Sequence, residues 1–181
     1  MSTLKVLGIC GSLRGDSTNM GMLRYAQTNA PAGMSITIAD LSQVPFFVRN
    51  EDKSAAVEAL LAQFAEAEAF IFACPEYNYS IAPALKNALD WASRAPDNKL
   101  LAGKPAAMFG AGGGMGTSRA QHHLRQVTSA LNILLLNKPE VYANAFSESF
   151  DKSNGNLVDE KIQKALLKQL DALHAWATKV R

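Results

Sequence analysis

Short apolar runs alternate with amphipathic stretches along most of the chain. Residues 4–10 and 69–74 are apolar almost throughout, which is typical of strands that are buried on both faces of a sheet. Residues 35–39 alternate apolar and polar positions, as a half-covered strand does. Apolar runs at 105–109 and 133–136 predict two further strands.

Between these runs, apolar residues recur at the three- and four-residue spacing of helices that bury one face. The predicted helices span residues 19–29, 54–68, 84–91, 118–131 and 158–180. Strands that alternate strictly with helices predict an α/β fold, in which a parallel sheet lies between two layers of helices. We expect one domain over residues 1–181, with five strands in the order 2-1-3-4-5.

The composition narrows the possible functions. The 181 residues are 48% hydrophobic and 19% charged, as in an ordinary globular protein, and the net charge is only +2. Because the lysines and arginines are scattered, we expect no nucleic-acid partner. No apolar run reaches the roughly 18 residues of a membrane span, and no signal peptide precedes the first strand. We therefore expect a cytoplasmic protein without membrane contact.

Two cysteines, Cys10 and Cys74, end strands that are predicted to be neighbours. So few cysteines in a chain of this length indicate a reducing compartment. We expect both to be small buried hydrophobic residues rather than the partners of a disulfide.

Residues 11–19 (Gly-Ser-Leu-Arg-Gly-Asp-Ser-Thr-Asn) connect the first strand to the first helix and have the chemistry of an anion site. Hydroxyl groups, a guanidinium and the free N–H groups of a helix start can converge there on a phosphate. The candidate ligands are Ser12, Arg14, Ser17, Thr18 and Asn19. An alternative is that the last three only cap the helix while the arginine stays in solvent.

Two other loops follow strands at the same predicted edge of the sheet. Residues 75–80 (Pro-Glu-Tyr-Asn-Tyr-Ser) suit a flat ring with hydrogen-bonding edges, and the glycine-rich stretch 110–116 lets main chain approach a ligand closely. In the order 2-1-3-4-5 the first, third and fourth strands are adjacent, so the three loops form one rim. A phosphate at one end and a flat heterocycle at the other describe FMN.

Three segments of the sequence resemble the NADPH-dependent FMN reductases, which have flavodoxin-like folds and include quinone, azo-dye and chromate reductases. They are Gly-Ser-Leu-Arg-x-x-Ser-x-Asn at 11–19, Pro-Glu-Tyr-Asn-x-Ser-x-x-Pro-x-Leu-Lys-Asn-Ala-x-Asp-Trp at 75–91, and Gly-Gly-x-x-Gly-x-x-Arg-Ala-Gln at 112–121. The resemblance implies a flavodoxin-like three-layer sandwich that binds FMN and takes electrons from NADPH or NADH.

The resemblance also implies roles for residues of the rim. The phosphate would be bound by Ser12, Arg14, Ser17, Thr18 and Asn19. The isoalloxazine ring would be bordered by Pro75, Glu76, Tyr77 and Asn78. Gly112, Gly113 and Gly114 would lie near its pyrimidine edge. Asp16 departs from the family pattern, and we expect its carboxylate to face solvent.

By the same resemblance, the protein is expected to pass two electrons to quinones or other small acceptors, such as azo dyes, free flavin or chromate, in a ping-pong cycle. A homodimer or homotetramer is implied, with the helix 85–91 at a subunit interface. No catalytic side chain and no metal are needed, because the flavin supplies the chemistry. Glu76 is a candidate proton donor, but we expect it to form a structural ion pair with a partner subunit. One alternative is a flavodoxin-like single-electron carrier, although such carriers tend to be strongly acidic. Another is a protein of this fold that binds a different phosphorylated molecule.

Overall fold

The computed structural model describes residues 3–180 of the chain. Its strands are β1 (Leu4–Cys10), β2 (Met34–Ile38), β3 (Ala69–Ala73), β4 (Glu76–Tyr77), β5 (Ser80–Ile81), β6 (Pro105–Gly112), β7 (Leu134–Leu135) and β8 (Val141–Asn144). Its helices are α1 (Thr18–Thr28), α2 (Ala55–Glu66), α3 (Pro83–Ala92), α4 (Ser118–Ala130) and α5 (Glu160–Val180), and a short 3₁₀ helix spans Pro96–Asn98.

The main sheet is parallel and has the strand order β2-β1-β3-β6-β7, with β8 also paired to β6. The predicted order is therefore confirmed, since β6 is the fourth strand of the prediction and β7 the fifth. Helices α1 and α5 cover one face of the sheet, and α2, α3 and α4 cover the other. The result is the expected three-layer sandwich, whose core consists of two apolar clusters separated by the sheet.

The fifth strand position is divided between β7 and β8, and the second half was not predicted. β7 pairs with the start of β6 at Pro105 and Ala106, whereas β8 pairs with its end from Phe109 to Gly112. At this interruption the buried side-chain amide of Gln169 on α5 donates to the carbonyl of Met108 at 3.1 Å. The same amide nitrogen donates to Pro139 O at 2.7 Å, so one side chain of α5 closes the gap.

The two cysteines lie on opposite sides of the sheet. Cys10 pairs in register with Ala73, so the next residue, Cys74, projects to the other face. Accordingly, Cys10 packs in the cluster under α1 and α5, and Cys74 in the cluster under α2, α3 and α4. Because their Cβ atoms point apart, a disulfide between them is excluded without movement of the backbone.

No helix within residues 3–180 combines the length and the apolarity that crossing a membrane requires.

Candidate functional site

The three predicted loops meet at the carboxyl edge of the sheet, because β1, β3 and β6 are neighbours there. Between them lies a cavity of about 410 Å³. Eight of the twelve residues predicted for the site line it: Ser12, Arg14, Ser17, Thr18, Asn19, Pro75, Glu76 and Tyr77. The loop after β1 and the hairpin after β3 therefore form one concave surface, as their positions in the sequence indicate.

Two serine hydroxyls of the first loop have a structural role that leaves them able to donate. Ser17 caps α1, since its Oγ accepts a hydrogen bond from Met20 N at 3.2 Å. Ser12 is buried, and its Oγ accepts from Arg14 N at 3.5 Å. Each hydroxyl accepts here and keeps its own proton, which is the group that an anion would need. Capping and anion binding are thus compatible in this loop.

Arg14 and Asp16 form an ion pair at the mouth of the cavity. The Nε of Arg14 donates to Asp16 Oδ1 at 3.0 Å, and the two side chains are 66% and 52% exposed. This hydrogen bond lowers the pKa of Asp16 below its ordinary value and raises the pKa of Arg14. The bond uses one of the five donors of the guanidinium, so Arg14 can bind an anion without releasing Asp16.

Asn19 joins the first loop to the third. Its Oδ1 accepts from Ala111 N at 2.9 Å, and its Nδ2 donates to Ala111 O at 2.8 Å, both in a buried setting. Ala111 belongs to the end of β6, so this pair of bonds fixes the start of α1 against the glycine-rich turn. Any direct contact of Asn19 with an anion would come from its backbone N–H or its second amide hydrogen.

The second loop is a β4–β5 hairpin that is attached to α4. The carboxylate of Glu76 accepts from the backbone N–H groups of Arg119 at 3.0 Å and Ala120 at 3.1 Å, in the first turn of α4. Arg119 Nη1 lies 3.7 Å from Glu76 Oε1, and its guanidinium lies over the ring of Tyr79, 4.1 Å from the centroid. Glu76 therefore forms its ion pair with a residue of its own chain. These contacts hold its carboxylate without the expected pair to a partner subunit.

The third loop lies beside the main cavity. Asn78, Gly113 and Gly114 line an adjacent cavity of about 430 Å³, and Glu76 lines both. Gly112 is the last residue of β6, so the glycine-rich stretch predicted as a loop begins inside a strand. A side chain at Gly112 would overlap the carbonyl oxygen of Gly116, so this residue closes the turn.

A fourth wall of the main cavity was not predicted. It follows β8 and consists of Ala145, Phe146, Ser147, Phe150, Asp151, Lys152 and Gly155. The segment folds back at Asn154-Gly155, where Gly155 N donates to Asp151 O at 2.8 Å. The paired apolar residues Phe150 and Leu157, which face each other across this turn, are the sequence signal that could have indicated the hairpin.

This wall is attached to α1 by close backbone packing and by one arginine. Arg24 Nη2 donates to Asn154 O at 2.8 Å and to Asn156 Oδ1 at 2.7 Å. Gly21 packs against Gly155, and a side chain on Gly21 would overlap the carbonyl oxygen of Gly155. A side chain on Gly155 would overlap the carbonyl oxygen of Asp16 in the first loop. The fourth wall and the first loop therefore form one packed unit.

The two buried thiols at the ends of β1 and β3 carry no charge. Burial raises the pKa of Cys74 to about 12, and burial likewise raises the pKa of Cys10, which contacts Ser12 and Ser17. Both thiols are protonated and neutral at physiological pH.

The donors and surfaces of the cavity fit FMN. Hydroxyl protons, the Arg14 guanidinium and the start of α1 suit a phosphate, and Tyr77 supplies a flat aromatic surface. At Gly113 and Gly114 an added side chain would meet no atom within 4 Å, so main chain is open to a ligand edge. The volume of about 410 Å³ lies within the range of about 300–1,000 Å³ that is usual for small-molecule sites.

Two carboxylates that line the cavity are already engaged within the chain. Asp16 is paired with Arg14, and Asp151 Oδ1 accepts from Ser153 N at 2.7 Å and from Ser153 Oγ at 2.6 Å. The charge of Asp16 is partly offset by Arg14, whereas the carboxylate of Asp151 is stabilised by hydrogen bonds within its own turn.

Comparison with known proteins finds FMN and quinone reductases that are similar over nearly the whole chain. The sequence is 47% identical to an NAD(P)H-dependent FMN reductase of Pseudomonas aeruginosa over 184 residues, covering 98% of this chain and 97% of the relative. It is 44% identical to an NAD(P)H:quinone oxidoreductase of Solanum tuberosum, covering 98% and 95% of the two chains.

Among solved structures, the flavoenzyme NAD(P)H:(acceptor) oxidoreductase FerB of Paracoccus denitrificans superposes with a TM-score of 0.87 at 29% identity, covering 98% of both chains. The family described as NADPH-dependent FMN reductase matches residues 4–148, which include the first three loops of the site. The chain belongs to the NADPH-dependent FMN reductase family.

Proposed function

We propose that the protein is an FMN-dependent oxidoreductase that uses NADPH or NADH to reduce small-molecule acceptors, quinones in particular. The observation that carries this proposal is a cavity lined by the hydroxyl-rich loop after β1 and by Tyr77, beside a second cavity lined by Gly113 and Gly114. FMN has a phosphate at one end and a flat ring at the other, so it needs both surfaces together. When bound, FMN accepts a hydride from NAD(P)H and passes two electrons to the acceptor, which side chains cannot do.

The chain's own residues bind and orient the cofactor in this proposal. The phosphate ligands are Ser12, Arg14, Ser17, Thr18 and Asn19. The ring is bordered by Pro75, Glu76, Tyr77 and Asn78, and its pyrimidine edge lies near Gly112, Gly113 and Gly114. Glu76 acts by capping α4 and so fixes the hairpin that carries Tyr77. We propose one FMN-binding domain, as expected from the sequence of residues 1–181.

The cycle we propose is ping-pong, in which the pyridine nucleotide leaves before the acceptor binds at the same exposed face. The sequence supports this order because it contains no second nucleotide-binding motif of the Gly-x-Gly-x-x-Gly or Walker A type. In the overall reaction NAD(P)H and one proton are consumed, and a quinone gains two electrons and two protons to become a hydroquinone. Azo dyes, free flavin and chromate are further candidate acceptors.

Steady-state kinetics of the FMN-loaded protein tests the proposal. We expect NADPH or NADH oxidation that depends on added quinone, with parallel double-reciprocal lines when both substrates are varied. Intersecting lines would refute the ping-pong order while leaving the activity intact. Protein that stays colourless after incubation with FMN and gel filtration would refute the cofactor assignment and favour another phosphorylated ligand.

A single-electron carrier is the second candidate, and two observations argue against it. The net charge is +2, whereas flavodoxin-type carriers tend to be strongly acidic. Three relatives that align over 94% or more of their own length have names that give NAD(P)H or NADPH as the electron donor. A carrier would remain inactive with NADPH and quinone until a separate reductase is added, so the same assay distinguishes the two functions.

We also propose a cytoplasmic homodimer or homotetramer. The side chains of Leu85 and Trp91 are buried against the chain's own core, so an interface at α3 would use the opposite face of that helix. Sedimentation equilibrium measures the number of subunits directly, and a monomer at micromolar concentration would refute this assembly.

A further inference from the structure

A groove adjoins the main cavity, which we call the cofactor cavity because FMN is proposed to bind there. The groove has a different chemical character. It lies between residues 41–46 and the start of α3, with a volume of about 480 Å³. Its apolar lining includes Leu13, Leu41, Val44, Phe46, Pro83 and Ala84. Arg14 and Tyr77 line both this groove and the cofactor cavity, so the two spaces are adjacent at the side of the proposed flavin site.

Hydrogen bonds to α3 fix the outer wall of the groove. Asn87 Oδ1 accepts from Phe47 N at 2.7 Å, and Asn87 Nδ2 donates to Pro45 O at 2.9 Å. Trp91 Nε1 donates to the same carbonyl at 2.8 Å. Although residues 40–52 contain no helix or strand, the part that forms the wall is therefore held in place without a ligand.

The two adjacent phenylalanines of this wall have different environments. The ring of Phe47 packs edge-on against Trp91, with 5.0 Å between the centroids. Phe46 is 75% exposed and lines the groove, where Leu13 on the opposite side is 60% exposed. Two large exposed apolar side chains on a single groove form a binding patch rather than the scattered exposure that is usual on protein surfaces.

The polar groups of the groove do not favour a charged ligand. The carboxamide of Asn87 is used by the backbone of Pro45 and Phe47, and Arg14 lies at the border with the cofactor cavity. The interior therefore suits an uncharged, flexible hydrocarbon chain. Because the groove adjoins the cofactor cavity at Arg14 and Tyr77, that chain would belong to a molecule whose other end lies at the flavin site.

We propose that this groove, the acceptor groove, binds the alkyl or isoprenoid substituent of a quinone while the quinone ring lies at the cofactor beside Tyr77. The proposal rests on the proposed quinone reductase function and adds a preference among quinones to it. Each buried methylene is expected to raise kcat/KM by up to about fourfold, which corresponds to about 0.8 kcal/mol. A chain that buries only two methylenes would therefore raise it by up to about fifteenfold.

The test compares 2-methyl-1,4-benzoquinone with 2-hexyl-1,4-benzoquinone, because both rings carry one alkyl group and have similar electron affinity. The FMN-loaded enzyme should show a kcat/KM at least about tenfold higher for the hexyl compound. Ala84→Trp fills the groove and Phe46→Ser removes one wall, so each should abolish most of this preference. Neither should change kcat/KM for the methyl compound more than about twofold. Val48→Ser is the matched control, since Val48 is an exposed apolar residue of the same segment outside the groove.

The outcomes separate this inference from the function on which it rests. Equal kcat/KM for the two quinones in the unmodified enzyme, or a preference that survives in both variants, refutes the acceptor groove and leaves the reductase activity standing. Absence of NADPH oxidation with either quinone, although FMN is bound, refutes the reductase function and the groove together. If Ala84→Trp reduces activity with both quinones and also dissociates the subunits in sedimentation, a second copy of the chain occupies the groove and the inference is wrong.

Discussion

Replacing Gly155 by alanine should both destabilise the protein and weaken FMN binding, because Gly155 holds the fourth wall of the cavity against the first loop. Its backbone has φ +72°, in the left-handed region that favours glycine. A Cβ at this position would overlap the Asp16 carbonyl oxygen and lie 2.8 Å from the Ser17 carbonyl carbon. Backbone atoms cannot rotate away, so the segment must move off the start of α1.

The magnitude follows from two separate costs. A non-glycine residue in the left-handed region costs about 1–2 kcal/mol. Forcing extra volume into a packed contact typically costs about 1–3 kcal/mol more. The expected loss of about 2–5 kcal/mol is a large part of the roughly 5–15 kcal/mol that stabilises a typical domain. Since Asp151 and Lys152 move with the segment, FMN should bind at least about tenfold more weakly.

Urea unfolding of the apoprotein measures the first effect, and titration of FMN fluorescence quenching measures the second. Gly103→Ala is the matched control, because Gly103 has φ +75° but open space around its Cβ position, and it lies outside the site. That variant should lose about 1–2 kcal/mol of stability and keep its FMN affinity. The reasoning is refuted if Gly155→Ala is no less stable than Gly103→Ala, or if its FMN dissociation constant is unchanged.

Three further predictions concern single side chains of the site. Arg14→Ala removes the proposed charge-assisted contact with the FMN phosphate, which is worth about 1.5–3 kcal/mol. The FMN dissociation constant should therefore rise roughly ten- to over a hundredfold, with little change in the urea midpoint. Unfolding with tight flavin retained would contradict this. Glu76→Gln weakens the cap of α4 and should cost about 1 kcal/mol of stability, measured by thermal unfolding; an unchanged midpoint would contradict it. Burial raises the pKa of Cys74 to about 12, against 9.0 for a free thiol. The unfolded chain therefore releases this proton at lower pH than the folded protein, so stability falls as the pH rises from 9 to 12. Urea unfolding of Cys74→Ala should show a shallower fall over this range.

The strands that determine the fold could be predicted from sequence because their signal is local. The apolar runs at 4–10 and 69–74 correspond to β1 and β3 within one residue at either end. Both strands are buried by helices on two faces, which is why nearly every position is apolar. β8 carries a weaker pattern, since only Val141 and Ala143 are buried in its four residues. Its existence depends on pairing with β6 across the interruption, and nothing within residues 141–144 specifies that pairing.

Although Phe150 and Leu157 could have indicated the turn, the position of the fourth wall at the cavity could not be predicted, for the same reason. Its position is set by β8, which delivers the chain to the carboxyl edge of the sheet, and by contacts with Gly21 and Arg24 on α1. Those contacts join residues more than a hundred positions apart, for example Arg24 with Asn154 and Asn156. In the sequence the segment is a polar stretch with one Asn-Gly turn, which is compatible with many loop positions.

The alternative between a capping loop and a binding loop was also undecidable locally, because helix capping and anion binding use the same residues at the same helix start. In the structure the rim is held by contacts with distant parts of the chain. Asn19 bonds to Ala111, Glu76 bonds to the first turn of α4, and Gly155 packs on Asp16. These loops are therefore already ordered by the fold. A ligand does not have to supply the free energy of ordering them, so it binds more tightly than it would to flexible loops. For this reason substitutions at these distant contacts should weaken FMN binding even where the altered side chain never touches the cofactor.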